Sequence, residues 1–198
     1  MSTARSMRRS SAFNLANLLT YGRLAAVPAV VGLMFWPEDH WSRWFALAVF
    51  ALAAITDYFD GYIARAFSQQ SALGRMLDPI ADKLLVAACL LMLVADKTIQ
   101  SWDIWAALVI LCREILVSGL REFLAELKVG VPVSRVAKWK TTFQLLSLGF
   151  LIAGPAGETV LPGTIPIGRV LLWISALLTI YTGWDYLKTG IKHLVDED

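Results

Sequence analysis

Apolar residues come in long runs along this chain, and those runs leave it few folds. Phe45 to Ile55 and Leu84 to Ala95 carry no polar side chain, and Val170 to Ile180 has only Ser175 and Thr179. A helix crosses the hydrocarbon core of a bilayer with roughly 20 mostly apolar residues, and several stretches reach that length. Composition agrees: the 198 residues are 57% hydrophobic and 17% charged, whereas soluble domains run about 45–50% apolar and about 25% charged. The expected fold class is an all-α membrane protein.

Helix breakers divide the chain into six transmembrane helices, at roughly 15–36, 42–66, 73–95, 103–127, 136–154 and 167–190. Pro37-Glu38-Asp39 ends the first. Ser68-Gln69-Gln70-Ser71, Asp96-Lys97 with Ser101, and Lys128-Val129-Gly130-Val131-Pro132 separate the next. Gly154-Pro155-Ala156-Gly157 through Pro166 forms the longest loop. That leaves one transmembrane domain over 1–198, with no room for a soluble domain and no internal repeat. Arg5, Arg8 and Arg9 form a short basic N-terminal juxtamembrane segment suited to anionic headgroups. The apolar run behind it is too long for a cleavable signal peptide. Cys89 and Cys112 lie inside apolar segments and read as small core residues, not as disulfide or zinc partners.

Charge placement sets the orientation. With six spans, both termini share a side with the turns near residues 70 and 130. That side collects Arg5, Arg8, Arg9, Arg65, Arg75, Lys128, Arg135, Lys138, Lys140, Lys188 and Lys192, against Arg43, Lys97 and Arg169 opposite. Both termini are expected in the cytoplasm. Trp36, Trp41, Trp44, Trp102 and Trp105 fall near the outer ends and Trp139 and Trp184 near the inner ones, as an aromatic belt requires. His40 and His193 sit in or near loops, and Asp103 and Glu158 read as solvated charges at loops or span ends.

Ionisable groups within spans are expensive and mark function. Span 2 carries Asp57 and Asp60, then Gly61, Ala64 and Arg65; span 3 carries Gly74, Asp78 and Asp82. Positions 57, 60, 61 and 64 share one helix face, as do 74, 78 and 82. A short turn makes the two spans antiparallel neighbours. At 1.5 Å per residue, Asp82 lies about 15 Å from that turn with Asp57 at comparable depth. Four carboxylates brought together raise one another's pKa unless positive charge compensates. A pair of divalent cations, Mg²⁺ or Mn²⁺, is suited to hard oxygen ligands and to phosphate-bearing substrates. The bland alternative is an ion-pair network with Arg65 and Arg75, whose two charges do not match four. Gly61, Ala64 and Gly74 suit either a closely approaching ligand or tight helix packing.

The segment Asp57-Tyr58-Phe59-Asp60-Gly61-Tyr62-Ile63-Ala64-Arg65, followed by Gly74, Asp78 and Asp82 at their spacing, resembles the signature of the CDP-alcohol phosphatidyltransferase family at all eight fixed positions. The resemblance implies two metal ions held by Asp57, Asp60, Asp78 and Asp82, with Asp82 doubling as general base. It also implies that Asn17, Gly61, Ala64, Arg65 and Gly74 line the site of the CDP-linked lipid. In such chemistry an acceptor hydroxyl attacks the β-phosphorus and CMP leaves.

The acceptor has to be read elsewhere. Span 4 holds Arg113, Glu114, Arg121 and Glu122; the next turn holds Arg135, Lys138 and Lys140. Arg113 and Arg121 fall on nearly one face. They suit a pocket for an anionic phosphate, or else snorkelling and pairing with Glu114 and Glu122. Arg113 through Phe123, Val133 through Thr142, and Asn17-Leu18-Leu19-Thr20 with Arg23 look like the phosphatidylglycerophosphate synthase branch of the family. Ala16, where that branch usually has proline, departs from it. The resemblance covers about residues 14 to 187. It implies that Arg113, Arg121, Lys138 and Lys140 bind glycerol 3-phosphate, that CDP-diacylglycerol is the donor, and that the enzyme is a homodimer in the cell (inner) membrane with its active site facing the cytoplasm. Membrane lipids are its surroundings, and no nucleic acid is expected as a partner.

Other acceptors are possible for the same chemistry. Serine or phosphatidylglycerol has less use for four basic residues; inositol phosphate, which also presents a phosphate, is the harder rival. A divalent-cation transporter could use the same aspartates, but it needs ionisable groups or broken helices along a whole route, and the outer half of these spans is almost uncharged. A scaffolding role does not call for four buried carboxylates.

Overall fold

The computed structural model describes residues 15–36, 38–67, 72–126 and 135–195. Among them are six helices and no strand: α1 (Leu15–Met34), α2 (His40–Phe67), α3 (Ala72–Ala95), α4 (Asp103–Glu126), α5 (Arg135–Glu158) and α6 (Thr164–Val195). Each expected span has its helix. The basic segment Arg5–Arg9 and the turns 68–71 and 127–134 lie outside the described residues. The helices sort into two compact units, Met1–Met92 and Leu93–Asp198.

In the first unit α1 packs against α2. Ala26, Val30 and Met34 supply the buried stripe of α1, and Ala46, Phe50 and Ala53 that of α2, at the three- and four-residue spacing of a helix face. Ala81, Leu85, Cys89 and Leu90 are the buried side of α3. The helix α2 starts at His40, two residues earlier than expected, because Asp39 caps it. Its Oδ1 accepts from the Trp41 N–H at 3.3 Å, and its Oδ2 from the Ser42 N–H at 3.2 Å and the Ser42 hydroxyl at 2.6 Å. The Ser42 hydroxyl is the chief reason that the Asp39 carboxyl is held below its ordinary pKa. Pro28 and Pro79 sit within α1 and α3 without ending them.

In the second unit α6 packs against both α4 and α5. The α3–α4 turn is where the sequence placed it: Lys97 and Ser101 take positive φ, 62° and 53°, and Ile99 is fully buried between them. The expected long loop from Gly154 to Pro166 is corrected. The backbone breaks at Gly154 (φ 45°, ψ −127°), where Pro155 removes a donor, but helical structure resumes to Glu158. Beyond that break, the connection to α6 is residues 159–163. Glu158 closes this hairpin: its carboxylate accepts from the Gly163 N–H at 2.7 Å and the Ile165 N–H at 2.8 Å, capping α6.

Asp103 is a second correction, since it is no free surface charge. Trp173 donates its indole N–H to Asp103 Oδ1 at 2.8 Å, and Arg169 pairs with Oδ2 at 3.3 Å while donating to the Thr98 carbonyl. The α5 and α6 backbones approach closely at Gly168. Ser147 donates to its carbonyl at 2.8 Å, and a Cβ there would meet Leu151 Cγ at 2.8 Å.

Cys89 is buried as expected, but Cys112 is exposed. It shares the outward side of α4 with Leu108, Ile115 and Leu116, all large apolar groups left uncovered. Leu52, Leu91 and Leu177 do the same on α2, α3 and α6. Among the described residues, two helices are long and apolar enough to cross a membrane by length and composition, over Asn17–Met34 and Thr164–Lys188.

Candidate active site

Three polar residues interrupt the buried face of α1. Asn17, Thr20 and Arg23 are spaced i, i+3, i+6 and almost fully covered. A buried guanidinium stays charged and requires anionic partners. Arg23 finds them on α2 and α3. Its Nη1 forms an ion pair with Asp57 Oδ1 at 2.8 Å and donates to Asp78 Oδ1 at 3.0 Å, and the Thr20 hydroxyl adds a longer contact of 3.4 Å to the same Asp78 oxygen. The Arg23 side chain is wholly covered, whereas the two carboxylates remain 42% and 31% exposed. One nitrogen thus gathers two aspartates from different helices around a single point. Asp82, half-buried one turn beyond Asp78, lies within electrostatic reach of Asp57 together with Asp78.

The meeting of Asp57 and Asp78 at Arg23 follows the helix-face argument, which also put Asp82 on the Asp78 face. Arg23 is a basic partner that the sequence reading, which weighed Arg65 and Arg75, did not name. Thr20 and Arg23 were the functional candidates missed as site residues. Their polar spacing inside an apolar helix is the signal that marks them. Gly74 is buried. Asp60, Gly61, Ala64 and Arg65 lie on α2, but their side chains and surroundings are outside the described residues, as are those of Arg75.

The donor set is the kind a hard divalent ion takes, namely carboxylate oxygens on two facing helices. Among the described residues no group of three or more acidic, His or Cys side chains is placed so as to hold a metal ion. Asp60, the fourth carboxylate of the pattern, is not in that count. Carboxylate oxygens are the donor type that Mg²⁺ or Mn²⁺ takes.

The second unit holds a separate polar cluster. Lys140, buried on α5, donates to Glu114 Oε1 of α4, and Arg113 reaches the same oxygen at 3.4 Å. Arg113 also donates to the Thr182 hydroxyl at 3.1 Å and lies 5.8 Å from the centre of the Tyr186 ring, both on α6. Gly183 makes this possible, since a Cβ there would approach Arg113 Cγ to 3.0 Å. Arg121, Lys138 and Glu122 are exposed. Of the four basic residues assigned to an acceptor, the structure brings Arg113 and Lys140 together, through Glu114, and leaves Arg121 and Lys138 at the surface. Pairing with Glu114 is what the sequence weighed against a phosphate pocket. A carboxylate bridging two cations is compatible with either, since a phosphate can bind the same pair.

Comparison with known sequences decides the family. The CDP-alcohol phosphatidyltransferase family model matches residues 13–181. The chain belongs to the CDP-alcohol phosphatidyltransferase family.

Among relatives of this phosphatidyltransferase, a Rickettsia bellii protein is 46% identical over 180 residues, covering 91% of this chain and 97% of the relative. A Cereibacter sphaeroides protein is 37% identical over 218 residues, covering 93% and 99%. One from Shigella flexneri is 36% identical over 187 residues, with the same coverage. Each is named a CDP-diacylglycerol–glycerol-3-phosphate 3-phosphatidyltransferase. These are transferase names, and none describes a cation transporter.

Proposed function

We propose that this protein transfers the phosphatidyl group of CDP-diacylglycerol to glycerol 3-phosphate, giving phosphatidylglycerophosphate and CMP in phospholipid biosynthesis. The observation that carries the reading is the convergence of Asp57 and Asp78 on the buried Arg23, with Asp82 within electrostatic reach of Asp57, in mostly apolar helices. Family membership and the names of close relatives supply the reaction class and the acceptor.

In this reading Asp57, Asp60, Asp78 and Asp82 hold two divalent ions. When bound, the ions supply positive charge to the diphosphate of the CDP-lipid and to the departing phosphate. Asp82 accepts the proton of the glycerol 3-phosphate hydroxyl as that oxygen bonds to the β-phosphorus. The bond from that phosphorus to the oxygen of CMP breaks, so the proton, the new ester and CMP are all accounted for. Arg113 and Lys140 bind the acceptor's phosphate as charge-assisted donors, with Arg121 and Lys138 supplying further charge. Asn17, Gly61, Ala64, Arg65 and Gly74 line the donor site.

The exposed leucines on α2, α3, α4 and α6 support a membrane setting. We read all six helices as spans. The carboxylates of α2 and α3 and the Arg113–Glu114 pair of α4 lower the apolarity of those helices, and a catalytic site accounts for them. The excess of Lys and Arg on one side supports cytoplasmic termini and a site opening to the cytoplasm of the inner membrane. A homodimer is the arrangement family analogy supports.

The test is CMP release by purified protein in detergent with CDP-diacylglycerol, Mg²⁺ and one acceptor at a time. Release with glycerol 3-phosphate, stopped by EDTA, is expected. Turnover with inositol phosphate instead would keep the site and overturn the acceptor.

A further inference from the structure

The ion pairs of Arg23 carry a consequence for metal binding. Arg23 is a fixed, fully covered cation whose Nη1 draws on one oxygen each of Asp57 and Asp78. Those carboxylates come from α2 and α3, so the guanidinium already compensates part of the charge that assembling them creates. A divalent ion held by the same carboxylates offers a second source of that compensation. Like charges a few ångströms apart in a partly covered site repel strongly, because little water screens them. A carboxylate has two oxygens and about four lone-pair directions, so arginine and metal can share one carboxylate, but each weakens what the other gains.

We propose that Arg23 is the resident cation of the carboxylate site, holding Asp57 and Asp78 together and competing thermodynamically with the divalent ions they bind. The inference rests on the metal reading given above and deepens it. Arg23 is a positioning residue here, not a catalytic one: it makes the cluster affordable without metal and keeps metal binding weaker than four aspartates alone would make it. A plain structural tie from α1 to α2 and α3 predicts something different, namely a loss of stability on mutation with no change in metal affinity. An orienting role of the usual kind, in which an outer partner strengthens the ligands, predicts metal binding about 10–100-fold weaker when the partner is removed. The signs of the three differ.

The experiment uses the full chain in detergent, purified with Mn²⁺ and then treated with chelator. Free Mn²⁺ is counted by its paramagnetic resonance signal during titration, and thermal unfolding is followed with and without the ion. For Arg23→Gln the expected results are Mn²⁺ binding at least about tenfold tighter than in the parent, a chelator-treated midpoint lower by roughly 5–15 °C, and a larger rise of that midpoint on adding Mn²⁺. Arg23→Lys keeps the charge as a single point that reaches one carboxylate, and it is expected to fall between the two. It also serves if Arg23→Gln does not fold after chelation. Unchanged or weaker Mn²⁺ binding by either variant would overturn the proposal while leaving the metal site standing. A parent protein that binds no Mn²⁺ would instead overturn the metal reading itself, and this inference with it.

Discussion

Lys140 on α5 places its buried ammonium on the carboxylate of Glu114 on α4, and Arg113 shares the same oxygen. Removing one partner of a buried pair leaves an uncompensated charge and costs about 3–5 kcal/mol, whereas replacing both with apolar groups is nearly neutral. Glu114→Ala is therefore expected to lower the thermal midpoint in detergent strongly. Adding Lys140→Met to it is expected to recover part of the loss, Arg113 still lacking its carboxylate, without recovering transfer to glycerol 3-phosphate. Recovery of both would remove Lys140 from the acceptor site.

Arg113 reaches Glu114, Thr182 and the face of Tyr186 with one planar group. A lysine there supplies charge without the fork. A hydrogen bond to a charged group contributes about 1.5–3 kcal/mol, and about 1.4 kcal/mol is a factor of ten. Arg113→Lys is expected to raise the KM for glycerol 3-phosphate about tenfold or more, with the KM for CDP-diacylglycerol unchanged. Steady-state CMP release at varied concentrations of each substrate checks this.

Asp82 is half-buried, one helical turn beyond Asp78 and within electrostatic reach of Asp57. If it takes the hydroxyl proton, Asp82→Asn is expected to cut turnover about 10²- to 10⁴-fold. The thermal midpoint should hold, because the Arg23 pairs with Asp57 and Asp78 survive. Turnover within a few-fold of the parent would move the general base elsewhere.

Glu158 ties the α5–α6 hairpin. The Ile165 N–H, then the Gly163 N–H, hold its carboxyl below the ordinary value of 4.5. A depressed folded-state pKa contributes stability that is complete above the unfolded value and is lost as pH falls through the folded one. The thermal midpoint is therefore expected to decline as pH drops below 4.5, and Glu158→Gln to flatten that decline. Thermal scans of parent and variant across this acid range compare the two slopes.

Much of this protein was legible in its sequence. Spacing of apolar runs and breakers marked six helices to within a few residues at most ends, because helix length and helix-breaking chemistry are local. The pattern from Asp57 to Asp82 marked the candidate site for the same reason: carboxylates at three- and four-residue spacing share a face wherever the helix goes. The break at Gly154-Pro155 was legible, because both residues disrupt a helix locally, whereas the short helical piece that follows it and the Glu158 cap that sets where α6 begins were not. Cys112 was misassigned because an apolar helix does not declare which side faces its neighbours.

What the sequence determined by itself is therefore the helical architecture, the membrane-like composition and the carboxylate motif, all properties of residues near one another in the chain. Only the tertiary structure decided which charges meet. Arg23 stands 34 and 55 residues from Asp57 and Asp78, and Lys140 stands 26 from Glu114. Pairing across such separations depends on how helices pack and rotate, and a buried charge takes whichever counter-ion that packing brings within reach.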